Sequence, residues 1–155
     1  MATTIKAWDV ISGSLGKCYA TINGNREDMI YVKNVEAKVR KEKTEIPVLG
    51  QTGKKHKARG WVGTGSISIY YTTTLFRNLM MDYMRTGKDV YFDMVVENND
   101  PSSNIGRQTI LLKGVNIDNV VMAKLDINNE TLEERLDFTF NDVEIFRRFD
   151  RLIGE

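Results

Sequence analysis

A chain of 155 residues with 41% hydrophobic and 28% charged side chains has the size and balance of one globular domain, residues 1–155, and excludes general disorder. Net charge is only +1, no run approaches the roughly 20 apolar residues of a membrane span, and Met1 to Ser14 carries Lys6, Trp8 and Asp9 where an export signal needs an unbroken apolar core. A single cysteine, Cys18, cannot form an internal disulfide, so synthesis inside a cell is the expectation.

Residues 1–14 hold few apolar side chains beyond Ile5, Trp8, Val10 and Ile11 and end in Ser12-Gly13-Ser14. They read as an arm ordered by what it touches. Trp8 either folds onto its own domain or anchors a neighbouring subunit, since tryptophan is enriched where interfaces bury anchors. Lys17 to Ile22 and Met29 to Val32 form a predicted hairpin around Asn23-Gly24-Asn25, because Asn-Gly supplies the positive φ angles of a tight turn. Cys18 within it reads as a small apolar residue, with no activating base near it in sequence.

Val35, Ala37 and Val39 alternate with Glu36, Lys38 and Arg40, and beyond them both faces turn polar through Lys41, Glu42, Lys43, Thr44 and Glu45. A strand with one apolar and one charged end leaves its domain. Gly50-Gln51-Thr52-Gly53 turns the chain, and Lys54-Lys55-His56-Lys57-Ala58-Arg59 returns it to Trp61, so residues 38–59 read as a long protruding hairpin, or else as a solvated basic loop. Gly60 to Val96 then reads as strand, helix and strand. Trp61, Ile67, Ile69 and Tyr71 alternate; Leu75, Phe76, Leu79, Met80, Tyr83 and Met84 recur at helical spacing, with Arg77, Asn78, Asp82 and Arg85 opposite. Thr72-Thr73-Thr74 offers a capping hydroxyl and Gly87 a stop. Gly63-Thr64-Gly65 reads as a place of close backbone approach.

Asn98 to Asn104 is a loop by composition. Arg107 to Ile117 and Asn119 to Ile127 read as strands, with a bulge at Lys113-Gly114, and Leu132, Leu136, Phe138 and Phe140 mark a last strand. In the tail 142–155, Ile145, Phe146, Phe149 and Leu152 have helix-like spacing, which predicts a short helix or a second docking arm.

The charge is unevenly placed. Lys38, Arg40, Lys41, Lys43, Lys54, Lys55, Lys57 and Arg59 face only Glu42 and Glu45 in the hairpin, whereas nine acids stand against four arginines from Asp126 to Glu155. Opposite signs in separate segments can steer a partner, which could be another copy of the chain.

Motifs for chemistry fail on inspection. A phosphate loop around Gly53-Lys54 would need glycine at Val48 and a hydroxyl residue at Lys55; Gly63-Thr64-Gly65 lacks the third glycine of a dinucleotide fingerprint; His56 stands in a lysine run without metal-ligand spacing. No catalytic, cofactor or metal residue is assigned. The basic hairpin could contact nucleic-acid phosphates, but it has only Trp61 nearby for stacking and no recognition helix.

Ser12-Gly13, Gly50 to Gly53 with Lys54 and Lys57, Gly60, Gly63-Thr64-Gly65, Leu79 to Tyr83, Gly87, Asp100, Gly106, Asn116 and Phe138-Thr139-Phe140 together give a chain that resembles the tail tube proteins of contractile phage tails, of the PBSX type. The resemblance spans nearly the whole chain. It implies a mainly β fold with one α-helix (α+β), a β-sandwich or half-barrel with a protruding hairpin. It also implies hexameric rings stacked into the inner tube of a phage tail or phage-tail-like bacteriocin, with a channel for DNA or ions. Sheath, baseplate and tape-measure proteins would be partners, synthesis would be in a bacterial cytoplasm, and a related secretion-system tube is the neighbouring alternative. Under this resemblance the predicted subunit-interface residues are Trp8, Lys38, Arg40, Lys43, Lys54, Lys55, Lys57, Arg59, Trp61, Glu133, Glu134 and Asp142, with basic hairpin and acidic C-terminal segment as complementary surfaces.

Overall fold

The computed structural model describes residues 6–150. After a 3-10 turn at Ala7–Asp9 come β1 (Gly16–Ile22), β2 (Asn25–Asp28), β3 (Val32–Ile46), β4 (Lys55–Tyr70), α1 (Leu75–Thr86), β5 (Phe92–Asn99), β6 (Arg107–Ile117), β7 (Glu133–Phe140) and β8 (Asp142–Arg147). The chain is therefore mainly β with one helix, and its strands pair antiparallel in the order β2-β1-β5-β6-β7-β4-β3, with β8 also on β6. Among the described residues no helix is long and apolar enough to cross a membrane.

Strand β6 is the joint of the fold. Most of it lies between β5 and β8, while Asn116 and Ile117 pair with β7. Strands β7 and β8 form one bent path along it: Phe138 pairs with Ile117, Thr139 with Asn116, Asp142 with Lys113 and Val143 with Leu112, all in the same register. The bend falls where Gly114 has φ 65° and the Asn141 N–H donates to the Lys113 carbonyl at 2.9 Å. A Cβ on Gly114 would lie 2.6 Å from Asn141 Nδ2, so both the positive φ and the crowding favour glycine there. Opposite it, Lys113 and Gly114 face Asp93 alone, the bulge that the Lys-Gly pair predicts. The sheet thereby turns over on itself. Ala20, Ile22, Phe92, Met94, Leu112 and Val115 from one half meet Ile67, Ile69, Leu136, Phe138 and Phe140 from the other, and Phe76 of α1 joins them.

The helix starts and stops where the sequence predicts, with changes of detail. Thr74 takes the N-cap position without a side-chain bond, and Thr73 Oγ1 accepts from the Leu75 N–H at 3.2 Å; Gly87, at φ 74°, donates its N–H to the Tyr83 carbonyl. Its buried face is shorter than the periodicity suggests. Phe76 is buried and Leu79 and Met80 half-buried, but Tyr83 and Met84 are exposed, and Arg77 turns inward.

Three expectations are corrected. The Asn23-Gly24 turn forms with φ 52° and 81°, but the returning strand is Asn25–Asp28 rather than Met29 to Val32, because the two-residue turn brings Asn25 directly opposite Ile22. Asn119 to Ile127 is not a strand. The Asn119 side chain donates to Asp137 Oδ2 at 3.0 Å and accepts from the Asp137 N–H at 3.1 Å, taking the place a backbone partner would have and ending the ladder. Leu125 and Ile127 follow in a loop, each 97% exposed. Finally, residues 142–147 form β8 and not a helix, since the β6 register carries them on from β7; residues 151–155, Leu152 included, lie outside the described residues.

The arm at residues 6–14 is fastened to the 100–105 loop. Asp9 Oδ1 accepts from Asn104 Nδ2 at 3.2 Å, and the Ser12 N–H donates to the buried Asp100 carboxylate at 3.0 Å. The amide of Ser102 also reaches Asp100, at 2.9 Å.

Candidate assembly surface

The alternation from Val32 onward is long enough that β3 and β4 keep pairing past the rest of the sheet. β4 pairs with β7 only from Gly63 to Tyr70, yet it pairs with β3 from Ile69 down to Lys55. The eight residues Lys55 to Val62 therefore project with their β3 partners as a two-stranded ribbon of about 25 Å, at about 3.3 Å per residue. Nearly every side chain of the ribbon is exposed. A single bulge, with Arg59 unpaired between Glu42–Gly60 and Lys43–Ala58, twists it partway along.

Register sorts the predicted cations by face. Lys38, Arg40, Glu42, Thr44 and Ile46 share one face with their partners Thr64, Val62, Gly60, Lys57 and Lys55. Lys38, Arg40, Lys55 and Lys57 thus lie on one side. The other face carries Val39, Lys41 with Trp61, and Lys43, and runs on into the core through Gly63 and Gly65. Trp61 stands at that junction, 45% exposed, with its ring 6.5 Å from that of Phe140. Lys38 pairs with Glu36 at 3.2 Å and Lys54 with Glu45 at 3.5 Å, while Arg40, Lys43, Lys55, Lys57 and Arg59 have no carboxylate within 4.0 Å among the described residues.

The close backbone approach at Gly63-Thr64-Gly65 holds for both glycines. A Cβ on Gly63 would sit 2.5 Å from the Phe140 ring, and one on Gly65 would sit 2.4 Å from the Phe138 ring and 2.5 Å from the Glu36 carbonyl oxygen. Two phenyl rings lie across the cross-strand glycines and seal the root of the ribbon.

The remaining predicted interface residues are scattered. Trp8 is 52% exposed, with the Lys6 ammonium 5.3 Å from its ring centroid. Glu133 forms an ion pair with Lys33 at 2.5 Å, and exposed Asp142 accepts from the Val143 N–H. Glu134 is a correction. It is 4% exposed and bound by Arg77 at 2.7 Å, so it points inward and offers no surface to a neighbour.

Cys18 is the only thiol, and burial pushes its pKa from 9.0 to about 12. A group raised in this way contributes stability below its unfolded pKa that is lost as pH rises through the folded value, here the window from 9.0 to about 12. We expect a thiol reagent at pH 8 to label the native protein far more slowly than the urea-unfolded protein; equal rates would mean the thiol is accessible.

A family model described as phage tail tube protein matches residues 3–146. The chain belongs to the phage tail tube family. It is 38% identical over 141 residues to the phage-like element PBSX protein XkdM of Bacillus subtilis (strain 168), an alignment covering 91% of this chain and 93% of that protein. The fold is similar to a chain in the anti-feeding prophage baseplate (TM-score 0.67, 13% identity, 94% of this chain and 97% of that one). It is also similar to a chain in the sheath-tube complex of the PVC extracellular contractile injection system (TM-score 0.62, 9% identity, 88% and 90%). The PBSX-type resemblance in the sequence is thereby upheld.

In this tail tube protein several exposed apolar side chains lie outside the predicted interface residues: Leu49 at the ribbon tip, Leu125 and Ile127, and Phe146 on β8. Leu125 and Ile127 fall in a segment whose pattern predicts a strand, Phe146 in one that predicts a helix or docking arm, and Leu49 beside the turn of the protruding hairpin. Arg77 departs from the helical pattern in the other direction, inward to Glu134. Its position opposite the apolar helix face pointed to solvent, and its partner is 57 residues away.

Proposed function

We propose that the chain is the inner-tube subunit of a contractile phage tail or phage-tail-like bacteriocin, assembling through copies of itself into hexameric rings that stack around a channel for DNA or ions. Its role is mechanical and non-enzymatic, and sheath, baseplate and tape-measure proteins are its partners in the particle. The observation that carries this reading is the ribbon of residues 40–62, whose charged, exposed strands pair only with each other among the described residues and extend about 25 Å beyond the sheet. An isolated two-stranded ribbon is marginal in water, so a neighbouring copy is its natural support. The outer edges of β2, β3 and β8 have no strand partner among the described residues, and closure of such edges between copies removes an aggregation hazard. Lys38, Arg40, Lys43, Lys54, Lys55, Lys57 and Arg59 are the ribbon's contact residues in this reading, with Trp8 and Trp61 as apolar anchors and Glu133 and Asp142 on the acidic side.

Deletion of residues 41–58 tests it. Arg40 pairs with Val62, so the cut leaves Arg59-Gly60-Trp61 as a three-residue turn on an intact strand pair. The expected product is folded by circular dichroism, monomeric, and without tubes in negative-stain images. Normal tubes from the deletion variant would defeat the assignment.

A further inference from the structure

We propose that the groove beside α1 receives the ribbon tip, Val48-Leu49 with Lys54 and Lys55, of a second copy of this chain. The inference rests on the tube-assembly reading and names the surface the ribbon meets. The groove runs between α1 and the adjoining ends of β5 and β6, encloses about 250 Å³, and is lined by Leu79, Met80, Tyr83 and Val90 together with Asp89 and Asp118. Small-molecule pockets occupy roughly 300–1,000 Å³, so this one suits one or two aliphatic side chains. Its lining holds two carboxylates and, among the described residues, no cation. Burial and the neighbouring Asp137 carboxylate raise the pKa of Asp118, which has no ion-pair partner among the described residues, so an incoming cation would stabilise its charge.

The ribbon tip has the complementary chemistry. Leu49 is fully exposed and Val48 partly so. Lys54 and Lys55 follow the tip in sequence, Lys43 and Lys57 lie further down the ribbon, and Glu45, 3.5 Å from Lys54, is the one carboxylate between Lys43 and Lys57. A rival occupant exists in Leu125 and Ile127, each 97% exposed. Asp126 stands between those two residues, however, and would meet the groove carboxylates as a like charge. Like-charge juxtaposition rejects a partner and opposite charge selects it, which decides for the ribbon.

The test uses the full chain concentrated into tubes. In a Cys18→Ser background, Leu49→Cys/Met80→Cys is oxidised and run on a denaturing gel without reductant, beside Leu125→Cys/Met80→Cys. A ladder of linked multimers from the Leu49 pair is expected. In parallel, Lys54→Glu/Lys55→Glu should lower tube yield at least tenfold, and adding Asp89→Lys/Asp118→Lys should restore it. Normal tubes without that ladder, a ladder from the Leu125 pair instead, or no restoration by the charge swap would overturn the groove as the ribbon's seat and leave the tube reading standing. If the cysteine pair blocks assembly, the charge swap decides alone. Failure of the unaltered chain to form tubes would overturn both readings.

Discussion

Arg77→Met is expected to lower folding stability by about 3–5 kcal/mol at neutral pH, the cost of leaving a buried charge without its partner. The Glu134 side chain is almost wholly enclosed, and its Oε1 has no hydrogen-bond partner among the described residues, so Arg77 Nη1 on Oε2 at 2.7 Å is what compensates it. Arg77 also donates to the carbonyls of Val121 and Thr73, and its guanidinium lies 4.3 Å from the Tyr71 ring centroid. The start of α1, the loop after β6 and the inner face of β7 thus meet at one cation. Burial already raises the Glu134 pKa despite the opposing pull of Arg77 and Lys124. Without Arg77 it rises further, so the carboxyl protonates more readily in the folded state than in the unfolded one. The variant's deficit should therefore be full above the raised folded pKa and shrink as pH falls through it. Urea denaturation at several pH values measures this. Arg77→Met/Glu134→Leu should recover most of the loss, because an apolar pair of similar volume replaces a buried ion pair at little cost. A single variant with wild-type stability, or a double variant no better than the single, would show that the pair is not the buried link described.

The second large effect lies at the ribbon root. Phe138→Ala should cost about 3–5 kcal/mol as a large core ring is lost. Gly65→Ala should cost about 1–3 kcal/mol through overpacking. The two changes should not compensate each other, because the Gly65 Cβ meets the Glu36 backbone carbonyl as well as the ring. Gly63 differs. Its nearest obstacles are all atoms of the Phe140 ring, so Gly63→Ala combined with Phe140→Leu should be less destabilised than the sum of the two single variants. Urea midpoints of the six variants test the contrast. Additive losses at Gly63 and Phe140, or rescue of Gly65→Ala by Phe138→Ala, would contradict the packing described here.

Much of this was legible from the chain. Two-residue alternation from Ile67 to Tyr71 and from Leu136 to Phe140 marks half-buried strands, because a strand has a period of two and a covered inner face. The spacing from Leu75 to Met80 marks the helix, and Asn23-Gly24, Gly87 and Lys113-Gly114 mark turn, stop and bulge, because few residues other than glycine and asparagine accept those backbone angles. The ribbon was legible too, since Lys41 to Glu45 are polar on both faces and no core can lie against them. The candidate groove was not. Asp89 follows α1 by three residues, but Asp118 comes from the end of β6, and only the closing of the sheet brings it beside the helix.

Local chemistry therefore determined which stretches are strand, helix or turn and where the chain projects, and the resemblance of the sequence to phage tail tube proteins pointed to the family that the comparisons show. Tertiary structure decided the rest. It turned Arg77 and Glu134 inward as a pair, let the Asn119 side chain cut short an expected strand, and carried Asp142–Arg147 along β6 as a strand despite helix-like spacing. The reason is common to all three: periodicity reports one element's own two faces, whereas pairing and burial depend on which distant element arrives at each face when the sheet folds over.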